Sequence, residues 1–163
     1  MIQFVAKTSW QFLQCIYFTV VLLLCFNFIV TTPALAAKNS GDLLKQTPTE
    51  VTVSLGNAVN ELKFEPNHLE FVAGKRYTLR LVNPSAQKHY FTAKDFADNI
   101  WTQKVEAGKV EVKGAIHEME LKPGAEAEWV FIALKPGKYS LRCPIPGHAE
   151  AGMTGDIAIN SGQ

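Results

Sequence analysis

A short stretch near the C-terminus holds three side chains that can bind a soft metal ion. Cys143, His148 and Met153 are each separated by four residues, and two prolines and a glycine lie between the first two. Proline fixes φ and glycine permits a tight backbone, so this loop should be stiff. Thiolate and thioether sulfur favour Cu(I), whereas imidazole binds either oxidation state of copper. The spacing therefore predicts a copper site.

A second histidine is needed to complete a type 1, or blue, copper site, which combines one thiolate, two imidazoles and a weak axial thioether. The candidate is His89, which follows an Asn-Pro-Ser turn after a predicted strand. It would join a distant part of the chain to Cys143. Of the two other histidines, we expect His68 in a solvated turn and His117 as a satisfied core or rim residue.

Each candidate ligand also has an ordinary structural interpretation. A lone cysteine is often a buried, inert thiol, and methionine often fills gaps in cores. His89 would then be a plain turn residue. The joint spacing of Cys143, His148 and Met153 favours copper over these alternatives. A group of glutamates fits a solvated strand face, although an oxygen ligand from this region would change the class of the site: Glu118, Glu120, Glu126 and Glu128.

The elements that must position these residues are short strands. From residue 50 onward, apolar and polar residues alternate with a period of two, and Gly, Asn-Pro and Lys-Pro-Gly turn signals separate the runs. This pattern predicts an all-β, Greek-key β-sandwich of about seven or eight strands. Residues 93–101 break the alternation and predict a short helix or a structured loop. Leu141 and Cys143 are two residues apart, so their side chains should lie on the same face of a strand, which we expect to face the core.

The N-terminus has a different character. Residues 12–30 are almost entirely apolar, Lys7 precedes them, and an Ala-x-Ala site follows. This order is typical of a secretory signal peptide, which we assign to residues 1–36. An uncleaved membrane anchor is the alternative, because the run approaches the ~20 residues that span a bilayer. Residues 37–48 are polar and predict a linker, and residues 49–163 form the domain.

Composition excludes several classes of function. The 163 residues fit one domain, and 16 basic against 15 acidic side chains, without a basic stripe, argue against nucleic-acid binding. Beyond the leader only Cys143 remains, so a disulfide framework within the domain is impossible. Four histidines and three methionines form no metal-rich tract of the kind found in copper carriers. They are also too few for the additional copper centres of copper enzymes.

The chain from about residue 50 to residue 160 resembles the cupredoxin family, the small type 1 copper proteins such as plastocyanin, azurin and auracyanin. The four residues between Cys143 and His148, with Pro-Gly before the histidine, look more like auracyanin and azurin than plastocyanin. The resemblance implies one copper ion, cycling between Cu(I) and Cu(II), with His89, Cys143, His148 and Met153 as ligands. The other matching segments are Leu62–Pro66, Phe71–Gly74, Asn83 ahead of His89, Lys135–Tyr139 and Gly155–Ile157.

The resemblance further implies a function. We expect an exported, monomeric one-electron carrier, not an enzyme, that meets redox protein partners by transient contact. Its compartment would be a periplasm or one like the thylakoid lumen, with membrane contact only through an uncleaved leader. Copper storage or delivery without electron transfer is the alternative. The expected docking patch surrounds the exposed edge of His148 and consists of Pro144, Ile145, Pro146, Ala149 and Ala151.

Two features depart from the family pattern. Tyr90 follows the first ligand histidine, where a small polar residue often ties the ligand loops together. The segment 94–114 is longer and more charged than in the smallest relatives, and we expect it to form a flap or a partner surface.

Overall fold

Short strands make up about half of the described residues in the computed structural model, which describes residues 42–162. One α-helix, α1, spans Lys94–Ala97. The strands are β1 Thr49–Leu55, β2 Phe64–Glu65, β3 His68–Val72, β4 Arg76–Val82, β5 His89–Thr92, β6 Ile100–Ala107, β7 Val110–Val112, β8 Glu118–Leu121, β9 Glu126–Ala133, β10 Gly137–Arg142 and β11 Thr154–Asn160.

These strands form two sheets. The six-stranded sheet has the order β2-β1-β4-β9-β6-β7, and the five-stranded sheet has the order β3-β11-β10-β5-β8. The β1–β4 and β3–β11 pairs are parallel, and the other paired strands are antiparallel. The predicted all-β sandwich is confirmed. The structure has eleven strands rather than about seven or eight, and four of them, β2, β5, β7 and β8, have only two to four residues.

The core lies between the two sheets and follows from the alternation of apolar residues. In β4, for example, Tyr77, Leu79 and Leu81 are buried while the residues between them are partly exposed. An aromatic cluster fills the centre, with edge-to-face or stacked ring contacts. Its members are Phe71, Tyr77, Phe96, Trp129 and Phe131. None of these five aromatic residues is a candidate metal ligand, so the fold has a source of stability independent of the metal site.

The charged segment 94–114 becomes part of the sandwich. It begins with α1, as the break in alternation predicted, and Phe96 on this helix enters the aromatic cluster. It continues as β6 and β7, a hairpin at the edge of the larger sheet. The β6–β7 hairpin of this segment therefore forms one edge of the larger sheet, and its charged side chains lie on the outward face.

The predicted signal peptide, residues 1–36, lies outside the described residues, as does the first part of the predicted linker. The described part of that linker begins with a 3-10 turn at Leu43–Lys45. Gln46 then holds it to the domain: its side chain donates to the Gly74 carbonyl, and its own carbonyl accepts from Arg76. Within residues 42–162, no helix has the length and apolar character needed to cross a membrane.

Candidate metal centre

Three neighbouring strands bring the predicted ligands to one end of the smaller sheet. His89 is the first residue of β5, Cys143 directly follows β10, and Met153 directly precedes β11. Because β10 pairs antiparallel with both neighbours, the start of β5, the end of β10 and the start of β11 lie at the same end of the sheet. The order of the strands thus unites residues that are far apart in sequence.

The side chains of His89, Cys143 and His148 converge below the surface. One donor atom from each lies within 4.8 Å of the other two. The Nδ1 atoms of the two histidines are 3.3 Å apart, and the Cys143 sulfur is 3.5 Å from Nδ1 of His148. Ligands about 2.0–2.3 Å from one ion lie roughly 3.3–3.8 Å from each other, so this spacing fits a single shared metal ion.

Backbone hydrogen bonds hold the loop that carries Cys143, His148 and Met153. The amide of Cys143 donates to the Met153 carbonyl at 3.1 Å, and the amide of Met153 donates to the His148 carbonyl at 2.9 Å. The His148 amide in turn donates to the Ile145 carbonyl at 3.0 Å. The Met153 side chain is fully buried beside these residues. The backbone therefore fixes the loop before any metal binds.

Burial also suits the two histidines to metal binding. His89 is fully buried and His148 retains 8% exposure. Burial first, and then the charge of His148, lower the pKa of His89 below its ordinary value of 6.5. The imidazole of His89 therefore stays neutral at neutral pH, which is the form that binds metals. One cysteine sulfur, two imidazoles and a nearby thioether form a donor set that selects copper.

Gly56, which the sequence analysis did not single out, makes room for His89. It follows β1 with φ +75°, and a Cβ there would lie 2.9 Å from Nε2 of His89 and 3.2 Å from Cβ of Ser85. Among the described residues this Nε2 has no hydrogen-bond partner, so the contact is steric. A glycine after a strand is an ordinary turn signal, and only the approach of β1 to β5 reveals its role.

Replacing Gly56 with alanine should therefore damage the site. The new methyl group would displace His89, and the positive φ adds backbone strain of about 1–3 kcal/mol. Gly124→Ala is a matched control, because Gly124 has φ +72° and open space around its Cβ position. We expect both variants to lose stability in denaturant titrations, but only Gly56→Ala to alter the visible spectrum of the copper protein. Unchanged spectra in both variants would contradict this steric role.

A buried amide shapes the turn that leads into His89. The Asn83 side chain donates to the carbonyls of Gln87 and Leu121 at 2.7 and 2.8 Å. Its oxygen accepts from both the amide and the hydroxyl of Ser85. These bonds join the turn to β8 and satisfy an otherwise costly buried amide. Asn83 thus positions His89 without being a ligand.

Tyr90 retains one link between the ligand segments, through its backbone. Its amide donates to the Cys143 sulfur at 3.4 Å, a bond that does not depend on the type of side chain. The tyrosine hydroxyl instead binds Glu120 on β8, and Lys88 lies 5.6 Å from the ring centroid. The ring therefore braces β5 against β8 on the outer face of the smaller sheet.

The remaining histidines lie at the surface. His68 is exposed, as predicted, and contacts Asp156 at 2.6 Å and Glu70 at 3.1 Å. The hydrogen bond that His68 donates to Glu70, followed by the one that it donates to Asp156, raises the pKa of His68. His117 is also exposed, and it contacts Asp98 at 2.6 Å. Within residues 42–162, the cluster of His89, Cys143 and His148 is the one group of such side chains spaced to hold a metal ion.

The residues of the predicted docking patch lie around His148. Ile145 and Ala149 are half-buried, whereas Pro144, Pro146 and Ala151 are exposed. The four glutamates expected on a solvated strand face are exposed. Glu118 accepts a hydrogen bond from Thr92, and Glu120 accepts the one from Tyr90, so both carboxylates have partners outside the metal site.

Comparison with known proteins agrees with this architecture. The family described as the cupredoxin-like domain matches residues 20–154. Comparison with curated proteins finds no match. Among solved structures, auracyanin A, a "blue" copper protein from Chloroflexus aurantiacus, is 24% identical, with 70% of this chain and 100% of that chain covered and a TM-score of 0.49. For the dithionite-reduced auracyanin from Roseiflexus castenholzii the corresponding values are 20%, 70%, 98% and 0.49.

The McoA multicopper oxidase from Aquifex aeolicus is 16% identical, with a TM-score of 0.54 over 71% of this chain and 30% of the oxidase. This likeness extends to the fold alone. A two-sheet β-sandwich with a buried Cys-His-His cluster and an adjacent methionine defines the class of small copper-binding domains. The chain belongs to the cupredoxin-like family, and its cofactor is copper.

Proposed function

We propose that this protein is an exported mononuclear type 1 copper protein that carries single electrons between redox partners and is not an enzyme. The convergence of His89, Cys143 and His148 beneath the surface is the observation that carries the proposal. The ligands would be these three residues and Met153. Copper, when bound, supplies a centre that gains or loses one electron.

The protein residues contribute rigidity, enclosure and a short route to the surface. The Tyr90 amide holds the thiolate of Cys143, and the loop bonds hold His148 and Met153, so little rearrangement is needed when the charge at the site changes. The buried side chains exclude water, which limits side reactions. His148 alone among the three clustered residues keeps some exposure, so we assign to it the path by which electrons leave.

Copper delivery without electron transfer is the competing function. A delivered ion must leave easily, whereas these donor atoms are buried and fixed. A visible spectrum combined with a redox titration separates the two functions. We expect an intense visible band that disappears and returns reversibly with a one-electron potential. A colourless protein that readily gives Cu(I) to a soluble chelator would instead support delivery.

The apolar patch around His148 suits brief contacts with other redox proteins. Its exposed members are Pro144, Pro146 and Ala151, with Glu150 as the one charged neighbour in the loop. The chain beyond residue 36 has no net charge, so long-range steering should be weak. We therefore propose a small apolar contact, below ~1,200 Å², as in other redox encounters.

Ile145→Asp tests this patch, because it introduces a charge that must be desolvated in the contact while all four proposed ligands stay. Electron exchange between oxidised and reduced copies, followed by NMR line broadening, should slow by about tenfold, equivalent to about 1.4 kcal/mol. The visible spectrum should remain nearly unchanged. Val110→Asp, at an exposed position on β7, is the matched control and should leave the rate unchanged.

A different result would move the docking surface. If Ile145→Asp leaves the exchange rate unaltered, while charge removal at Lys94 or Lys109 abolishes a strong dependence on ionic strength, the charged segment 94–114 is the contact face. Lys104 is a less suitable probe, because it is ion-paired with Glu106. Its replacement would unbalance charges within the sheet itself.

Export makes a separate prediction. A cleaved signal peptide leaves a mature protein that begins at Ala37. Intact-mass spectrometry of the exported fraction should therefore find a protein without residues 1–36. The full mass recovered with membranes would support an uncleaved anchor instead, and it would leave the copper assignment untouched.

A further inference from the structure

The end of the sandwich opposite the metal site carries an unusual combination of exposed apolar and basic side chains. Leu44, Trp101 and Leu134 are 47%, 43% and 50% exposed. Lys75 and Lys135 are exposed in the turns beside them. These five residues are called the distal surface below.

Hydrogen bonds and strand register show that the distal surface is continuous. The amide of Ala133 donates to the Lys75 carbonyl, and the amides of Leu134 and Lys135 both donate to the Asn99 carbonyl. Trp101 pairs with Ile132 on β9, and Ile132 pairs with Arg76 on β4. The loops that carry these residues are therefore tied together at one end.

The same bonds place Leu44 there. Gln46, two residues later, binds the Gly74 carbonyl and the Arg76 side chain, so this segment is held at the distal end. The first described residues therefore lie at the distal surface. Forty-one residues precede Asp42, and positions 12–30 among them form the apolar run. The metal ligands, by contrast, lie at the far ends of β10 and β11.

We propose that the distal surface docks on an anionic lipid bilayer, so that the copper site faces away from the membrane. Tryptophan with neighbouring lysines is the combination favoured at membrane interfaces, where the ring enters the headgroup region and the ammonium groups meet lipid phosphates. The described residues begin at this end, and the apolar run precedes them in the sequence whenever the leader is retained. The inference goes beyond the proposed function and requires no bound copper.

Tryptophan quenching in the full chain, reconstituted into brominated-lipid vesicles, tests the proposal. The chain has three tryptophans, and the difference from Trp101→Phe isolates the signal of Trp101. We expect brominated anionic vesicles to quench the fluorescence of Trp101 and brominated neutral vesicles not to quench it. The double variant Lys75→Glu/Lys135→Glu should lower the ratio of docked to undocked domain by more than about tenfold. Each basic residue near an anionic surface contributes substantially to binding, and the variant replaces two of them with acidic residues.

A matched double variant, Lys109→Glu/Lys122→Glu, makes the same charge change in turns at the other end and should retain the quenching. Three results would overturn the proposal: no quenching by anionic vesicles, equal quenching by neutral vesicles, or equal losses in both double variants. A Trp101 signal that instead changes with protein concentration in the absence of lipid, together with a doubled mass in sedimentation, would assign the surface to a second copy of the chain. The spectrum and potential of the copper site are measured separately, so failure here leaves the proposed function standing.

Discussion

Replacing Cys143 with serine is expected to abolish the visible colour of the copper protein completely. The band arises from charge transfer between thiolate and Cu(II), and an alcohol oxygen is a hard, poor donor. Loss of a hydrogen-bonded neighbour of a metal ligand already lowers affinity by about 10–100-fold, so loss of the thiolate should lower copper affinity at least as much. Absorption spectroscopy with a copper titration measures both effects.

The fold should survive this substitution. Cys143 is fully buried, but serine is of similar size, and its oxygen can accept the hydrogen bond that the Tyr90 amide now donates to sulfur. The aromatic core lies between the sheets and does not use the metal. Circular dichroism should therefore show a β-protein with a cooperative melt. Cys25→Ser in the full chain is the matched control, and a Cys143→Ser protein as blue as its parent would contradict the copper assignment.

Local rules in the sequence account for part of the geometry of the candidate site. Alternation along β10 placed Leu141 and Cys143 inward, and both are buried. The spacing of Cys143, His148 and Met153 marked the loop, and proline and glycine predicted its stiffness. A period of two and a few turn residues are enough for such inferences, because they depend on neighbours in the chain.

Contacts between distant segments were beyond this reasoning. Position 56 requires glycine because a methyl group there would be too close to His89, 33 residues away in the sequence. The bonds from Gln46 to Gly74 and Arg76, which fasten a segment predicted as a linker, likewise cross from one element to another. Such contacts cannot be read from composition or periodicity, because the tertiary fold, and not the local sequence, brings the two residues together.

Changing Met153 should alter the reduction potential in opposite directions, depending on the replacement. A thioether stabilises Cu(I) weakly, so glutamine, whose harder oxygen favours Cu(II), should lower the potential. Leucine provides no donor and keeps the buried apolar volume, so it should raise the potential. We expect each shift to exceed about 59 mV, the one-electron equivalent of a tenfold change in relative stabilisation. Protein-film voltammetry provides the measurement.

The structure makes this test decisive for the axial position. Met153 is fully buried, and its backbone binds both Cys143 and His148, so its side chain can change while the loop remains held. Met119→Leu on β8 is the matched control for loss of a thioether elsewhere and should leave the potential unchanged. If both Met153 variants keep the parental potential, the residue only fills space. Glu118, the oxygen ligand considered from the sequence, is a poor substitute, because it is exposed and already accepts a hydrogen bond from Thr92. The metal would then have three protein ligands, and the potential would depend on the enclosure of the site and on the hydrogen bond to sulfur.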